Sequence, residues 1–246
     1  MEGGKVTRIE IKERLYRRRY LVPNAVTVGG LFCGFLSIIY SSSERWEKAG
    51  FAVLLAILLD GLDGRVARRL NATSHFGLEF DSLSDLVSFG IAPAFLMYEW
   101  CFRHLADEFG VFICFVYVLC AASRLARFNV SSENLVGFEG LPSPAAAGLV
   151  VAVVYGISGN QPDYAAVTMG AALLLLTAYL MVCRIPYPSI KKIKITNIHF
   201  AARVLVGILI ALVWWRPKIG LLVLATGYLL SGLVLEVLRR RRCPSA

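Results

Sequence analysis

The sequence is short of charge. Only 17% of its 246 residues are charged, against about 25% in an ordinary soluble domain, and acidic side chains are the scarcer kind, 17 Asp and Glu against 26 Lys and Arg. Histidine is rare: His75, His104 and His199 form no spaced pair, and the six cysteines (33, 101, 114, 120, 183 and 243) include no CxxC. These absences argue against both a zinc site and a disulfide framework. The basic N-terminus is followed by no short apolar core with a small-residue cleavage site, so no signal peptide is expected. There is also no internal repeat, long linker or second soluble domain.

What is present is apolar surface. Hydrophobic residues make up 57% of the chain and the mean hydropathy is +0.63, which defines an integral membrane protein. Crossing the hydrocarbon takes roughly 20 apolar residues. Eight stretches qualify: residues 22–42, 47–69, 77–100, 108–128, 142–158, 164–184, 199–215 and 218–238, the fifth and seventh being short. The expected fold is therefore all-α, a polytopic transmembrane helical bundle of about eight membrane helices. One transmembrane domain would span residues 21–240, between a basic segment 1–20 and a short tail 241–246. Residues 5–20 alternate apolar and basic positions, which suits a helix on the membrane surface or a disordered basic tail that sets orientation.

Basic residues fix the sidedness. With the N-terminus inside, twenty Lys and Arg fall in cytoplasmic segments and five in outside loops, as the positive-inside rule requires. Both ends are then cytoplasmic, with seven basic residues between Lys5 and Arg19 and four at Arg239–Arg242. Beside apolar spans, such clusters are topology signals and contacts for anionic headgroups, so a nucleic-acid partner is not expected. Trp46, Trp214 and Trp215 lie where an interfacial aromatic belt belongs.

Against that background four aspartates are conspicuous. Asp60 and Asp63 are three residues apart at the inner end of the second span, and Asp81 and Asp85 are four apart at the start of the third. Each pair shares one helical face. A short connection makes the two helices antiparallel neighbours, so four carboxylates can converge, and like charges so close require cations. Oxygen-only donors select a hard ion, Mg²⁺, Mn²⁺ or Ca²⁺, and two such ions suit phosphoryl chemistry. Gly61, Gly64 and Gly77 leave room for a phosphate to approach the backbone, Arg68 can pair with a pyrophosphate, and at Ala67 a larger side chain would intrude on a nucleotide.

From Asp63 to Asp85 the chain reads DGRVAR, eight residues, then GLEFDSLSD. This resembles the CDP-alcohol phosphotransferase signature DGxxARx8GxxxDxxxD at every fixed position, with Asp60 upstream. The resemblance implies a membrane enzyme that moves a substituted phosphate from a CDP-linked donor to an alcohol and releases CMP. It also implies a six-helix core, a homodimer and two divalent cations, Mg²⁺ or Mn²⁺. By position it makes Asp60, Asp63, Asp81 and Asp85 metal ligands, Asp85 also the catalytic base, and Gly64, Ala67, Arg68 and Gly77 the lining of the CDP site. Asn24 and Thr27, near the inner end of span one, would reach the nucleotide.

PNAVT (23–27), SFGIAPA (88–94), SRLARFN (123–129) and FEGLPSPAAAG (138–148) resemble the membrane-integral phosphatidylserine synthases of bacteria and archaea. The likeness runs from about residue 20 to 150. It implies CDP-diacylglycerol and L-serine as substrates at a site on the cytoplasmic side of the cytoplasmic membrane, among membrane lipids. Serine is a zwitterion and needs a cation for its carboxylate. Arg124 and Arg127, with Asn129 beside them, are candidates because an arginine fork matches a carboxylate; their other use is topology anchoring or pairing with Glu133 or Glu139. Two alternatives stay open: the same chemistry on glycerol 3-phosphate or inositol phosphate, and a cation-coupled transporter, which would also bury acidic groups in a membrane.

Overall fold

The computed structural model describes the backbone at residues 8–70, 74–105, 108–130, 140–157, 163–183, 185 and 215–242; side chains are described from Pro23 to Gly232, Arg68 excepted. Seven helices account for nearly all of this: α1 (Arg8–Ser42), α2 (Trp46–Leu70), α3 (His75–Phe102), α4 (Phe109–Val130), α5 (Ser143–Ile157), α6 (Tyr164–Val182) and α7 (Pro217–Arg242). Among the described residues there are no strands. Seven of the eight expected spans coincide with these helices to within a few residues, apart from longer ends on α1 and α7. The span expected at 199–215 lies almost wholly outside the described residues.

Four stretches are long and apolar enough to cross a membrane: Pro23–Ser42 of α1, His75–Phe102, Phe109–Val130 and Tyr164–Val182. α5 and the Pro217–Gly232 part of α7 are shorter apolar helices. The basic segment from Arg8 to Tyr20 is helical and runs into the first span through Pro23 without a break. Proline lacks the N–H that would bond the carbonyl four residues earlier, and this loss falls at the very edge of the apolar stretch.

Lipid-facing and inward faces separate cleanly. Val28, Phe32, Phe35 and Ile39 form an exposed stripe on α1, and Phe51, Leu55, Leu58 and Leu62 one on α2. Both follow the i, i+4, i+7, i+11 spacing of a single helix face, and in a bilayer such stripes meet acyl chains. The opposite face of α2 carries Ala49, Ala52, Val53 and Ala56, all buried. Small residues there let helices approach closely: a Cβ added to Gly50 would lie 3.1 Å from Cγ1 of Val151 on α5. The same inward face reaches Asp60 and Asp63 one and two turns later, so the stripe that packs the core ends in carboxylates.

α3 departs from regular α geometry twice, with π-helical turns at Leu86–Ile91 and Tyr98–Phe102. The first starts immediately after Asp85, and such turns often mark functional sites. α1 crosses α3 there at close range. A Cβ on Gly34 would fall 2.8 Å from Cα of Ser88, closer than two helices can tolerate. Ser84 and Ser88 then donate to the α1 carbonyls of Thr27 (3.3 Å) and Gly30 (3.2 Å). Buried hydroxyls thus find backbone acceptors and fasten α3 to α1.

Candidate functional site

The start of α3 is capped by Ser74, whose side chain accepts from the backbone N–H of Gly77 at 3.0 Å. Serine is a preferred residue at this position because it satisfies an otherwise orphaned helix donor. The cap sets where α3 begins, and hence the turn on which Asp81 and Asp85 sit. α2 supplies Asp60 and Asp63 from its inward face. The tertiary fold brings the four together in one partly open cleft, lined also by Thr27, Gly30, Ala56, Ser84, Ser88 and Phe89.

Asp60, Asp63 and Asp81 form the tightest group, each offering an oxygen within 4.8 Å of those of the others. That set of hard anionic oxygens fits a hard divalent cation. Asp85, one turn further along α3, lines the same cleft without belonging to this tightest triplet. Asp63 is almost fully buried, and the Thr27 hydroxyl donates to its Oδ2 at 3.0 Å. Thr27, expected near a nucleotide, is therefore also a partner of the carboxylate cluster.

The other expected donor-site residues divide. Asn24 and Gly77 meet across the α1–α3 contact: a Cβ on Gly77 would lie 3.3 Å from Oδ1 of Asn24 and 3.1 Å from Oγ of Ser74. A side chain at position 77 would thus be crowded whatever binds there. Gly64 and Ala67 are half-buried on the α2 face that continues from Asp60 and Asp63. Gly61 opens to empty space, with nothing within 4 Å of an added Cβ. The Arg68 side chain lies outside the described residues.

The three acceptor candidates on α4 behave differently. Asn129 bridges to α3, its amide donating to Glu79 at 3.2 Å and its carbonyl accepting from Ser82 at 3.1 Å. Arg127 is exposed and donates to the Val182 carbonyl at the end of α6, at 3.1 Å. Arg124 points inward: its Nη1 donates to Ser143 Oγ at 3.0 Å, while Nε is buried with no hydrogen-bond partner in the protein. It lies within electrostatic reach of Asp85, Asp60 and Tyr228. Of the three, Arg124 is turned toward the aspartates, beside the cleft rather than in its lining.

Several residues in the cleft or beside Arg124 escaped sequence reasoning. Ser84 and Ser88 share the face of Asp81 and Asp85 by helical spacing, a signal present in DSLSDLVS that the carboxylates overshadowed. Ser143 was visible only as part of GLPSP. Tyr228 carried no signal, because its proximity to Arg124 arises from packing of α7 against α5.

The sequence pattern of the CDP-alcohol phosphatidyltransferase family matches residues 20–231. A CDP-diacylglycerol--serine O-phosphatidyltransferase of Helicobacter pylori (strain ATCC 700392 / 26695) is 39% identical over 223 residues, covering 87% of this chain and 90% of that protein. The protein of the same name from Bacillus subtilis (strain 168) is 33% identical, over 72% of this chain and 96% of its own length. An archaetidylserine synthase of Methanothermobacter thermautotrophicus is 36% identical, over 69% and 70%. A carboxylate cleft lined by α1, α2 and α3, with the DGxxAR and GxxxDxxxD segments on the last two, together with a match over most of its length, places this chain in the CDP-alcohol phosphatidyltransferase family.

Proposed function

We propose that this protein transfers the phosphatidyl group of CDP-diacylglycerol to L-serine, giving phosphatidylserine and CMP. The observation that carries the reading is the convergence of Asp60, Asp63 and Asp81 within 4.8 Å of one another, in a cleft shared with Asp85. The names of the relatives support serine as acceptor, and so does an inward arginine beside the cleft.

Asp60, Asp63 and Asp81, joined by Asp85, would hold two divalent cations, Mg²⁺ or Mn²⁺. Bound there, the metals supply charge neutralisation and orientation for the donor pyrophosphate. The chain's own groups do the rest. Thr27 fixes the Asp63 carboxylate, and the crowded Asn24–Gly77 contact, with Gly64, Ala67 and Arg68, bounds the CDP moiety. The acyl chains stay in lipid beside the exposed apolar stripes. Arg124 takes the serine carboxylate through its fork. Asp85 removes the proton from the serine hydroxyl, the oxygen forms a bond to the phosphorus that carries diacylglycerol, and the bond from that phosphorus to CMP breaks. General-base help of this kind contributes about 10²–10⁴-fold.

The twenty-to-five distribution of basic residues supports a cytoplasmic site in the cytoplasmic membrane, where soluble serine is accessible. A homodimer is part of this reading, as the family resemblance implies. The test is CMP release by purified protein with CDP-diacylglycerol and Mg²⁺ or Mn²⁺, comparing L-serine, glycerol 3-phosphate, inositol phosphate and no acceptor. Release with serine alone supports the assignment. Release only with a phosphorylated acceptor overturns the choice of acceptor, and no release from folded protein overturns the enzyme reading in favour of cation transport.

A further inference from the structure

We infer that Ser143 is a positioning residue for acceptor recognition, setting the guanidinium of Arg124 so that its Nε edge is presented to the acceptor's carboxylate. This rests on the proposed role of Arg124 and goes one step further, to what aims it.

The end of α6 explains why Ser143 is fixed. The last carbonyls of a helix have no partner within it, and here they are met by the residue that follows the helix and by two other segments of the chain. Tyr179 accepts from the Cys183 N–H at 2.9 Å, Leu180 from the Leu141 N–H at 2.8 Å, and Val182 from Arg127. Just beyond the helix, Ile185 accepts from the Gly140 N–H at 2.9 Å. Gly140 has φ +82°, and an added Cβ would fall 2.5 Å from the Met181 carbonyl oxygen and 3.0 Å from that of Cys183. Only glycine fits both the left-handed backbone and the close approach. Leu141 next to it is fully buried, and the Pro142 carbonyl accepts from the N–H groups of Ala145 and Ala146, starting α5. Residues 140–142 are thus a strap pinned to α6 on one side and leading into α5 on the other.

Ser143 is the first residue of α5 and is 1% exposed. Its Oγ has one described partner, Nη1 of Arg124 at 3.0 Å. A guanidinium carries five donors in a rigid plane, so fixing one terminal nitrogen restricts rotation of the whole fork. The Nε donor, buried and without a protein acceptor, is a group that must find a partner, and an anionic oxygen is the strongest one available. The neighbouring charges are Asp85 and Asp60, with the Tyr228 phenol from α7. A carboxylate bound at Nε would hold a 2-amino-3-hydroxy acid close to the group proposed to deprotonate its hydroxyl. Alcohols without a carboxylate would gain nothing from this arrangement.

The experiment is steady-state CMP release with L-serine varied at saturating CDP-diacylglycerol and Mg²⁺, for wild type, Ser143→Ala, Ser143→Thr, Arg124→Lys and the double variant Arg124→Lys/Ser143→Ala. Loss of one positioning hydrogen bond is expected to raise the serine KM of Ser143→Ala about tenfold, with kcat and the CDP-diacylglycerol KM within about twofold of wild type. Ser143→Thr, which keeps the hydroxyl, is expected to restore the serine KM. Because Ser143 acts through Arg124, adding Ser143→Ala to Arg124→Lys should raise KM no further. If Arg124→Lys raises the serine KM while Ser143→Ala does not, the role of Ser143 is overturned and that of Arg124 stands. If Arg124→Lys leaves the serine KM unchanged, the Arg124 reading falls and takes the inference with it. Equal effects of Ser143→Ala in both backgrounds also overturn the inference, as does a serine KM in Ser143→Thr as high as in Ser143→Ala. Should Ser143→Ala fail to fold, Ser143→Cys, which keeps the size and weakens the acceptor, is judged by the same KM criterion.

Discussion

Thr27 donates its hydroxyl hydrogen to Oδ2 of Asp63 across 3.0 Å, linking the first helix to the carboxylate cluster formed by the second and third. The bond is buried, and its acceptor is one of the three aspartates that come closest together. A hydrogen bond to a charged group is worth about 1.5–3 kcal/mol, so this contact both orients the carboxylate and helps join α1 to α2.

Thr27→Val preserves shape and removes the donor. Its kcat/KM for CMP release is expected to fall about ten- to a hundredfold, with a higher Mg²⁺ concentration needed for half-maximal rate, while Thr27→Ser stays within a few-fold of wild type. A Mg²⁺ titration of the three proteins checks this, and an unchanged titration for Thr27→Val would refute the positioning role.

Among the aspartates, the two kinds of role predict different failures. Asp60→Asn, Asp63→Asn and Asp81→Asn should lose high-affinity Mn²⁺ binding, measured by electron paramagnetic resonance, together with turnover. Asp85→Asn should still bind CDP-diacylglycerol while turnover drops about 10²-fold or more. Near wild-type turnover by folded Asp85→Asn would remove it as the base.

Chelation offers a test that needs no mutation. Removing divalent ions with EDTA should abolish CMP release, and Mg²⁺ or Mn²⁺ should restore it, because the donor set is all oxygen. Activity that survives exhaustive chelation would contradict the metal reading.

Two glycines separate packing from open space. Gly34→Ala puts a methyl 2.8 Å from Cα of Ser88, and such overpacking costs about 1–3 kcal/mol. Gly61→Ala meets nothing within 4 Å and gains roughly 0.5–1 kcal/mol of helix preference. Thermal unfolding in detergent should place Gly34→Ala below wild type and Gly61→Ala at or above it.

Much of this was legible in the residues. Long apolar runs gave away the helices because only a helix satisfies its own backbone in lipid, and the described boundaries fall within a few residues of the expected ones for most spans. Asp60 with Asp63 and Asp81 with Asp85 were readable as paired faces because i, i+3 and i, i+4 spacing is local geometry. Arg124, Arg127 and Asn129 were harder. They lie within six residues on one helix, and nothing in SRLARFN distinguishes the inward arginine from the one that caps α6 or the asparagine that bridges to α3.

The membrane class, the helical elements and the acidic constellation were all readable before folding, since each depends on composition or on spacing within a turn or two. That Thr27 meets Asp63, that Asn24 crowds Gly77 and that Ser143 holds Arg124 came from helix packing alone. Those pairs are set by which helices pack together and how closely small residues let them approach, and no periodicity within one segment encodes the partner on another.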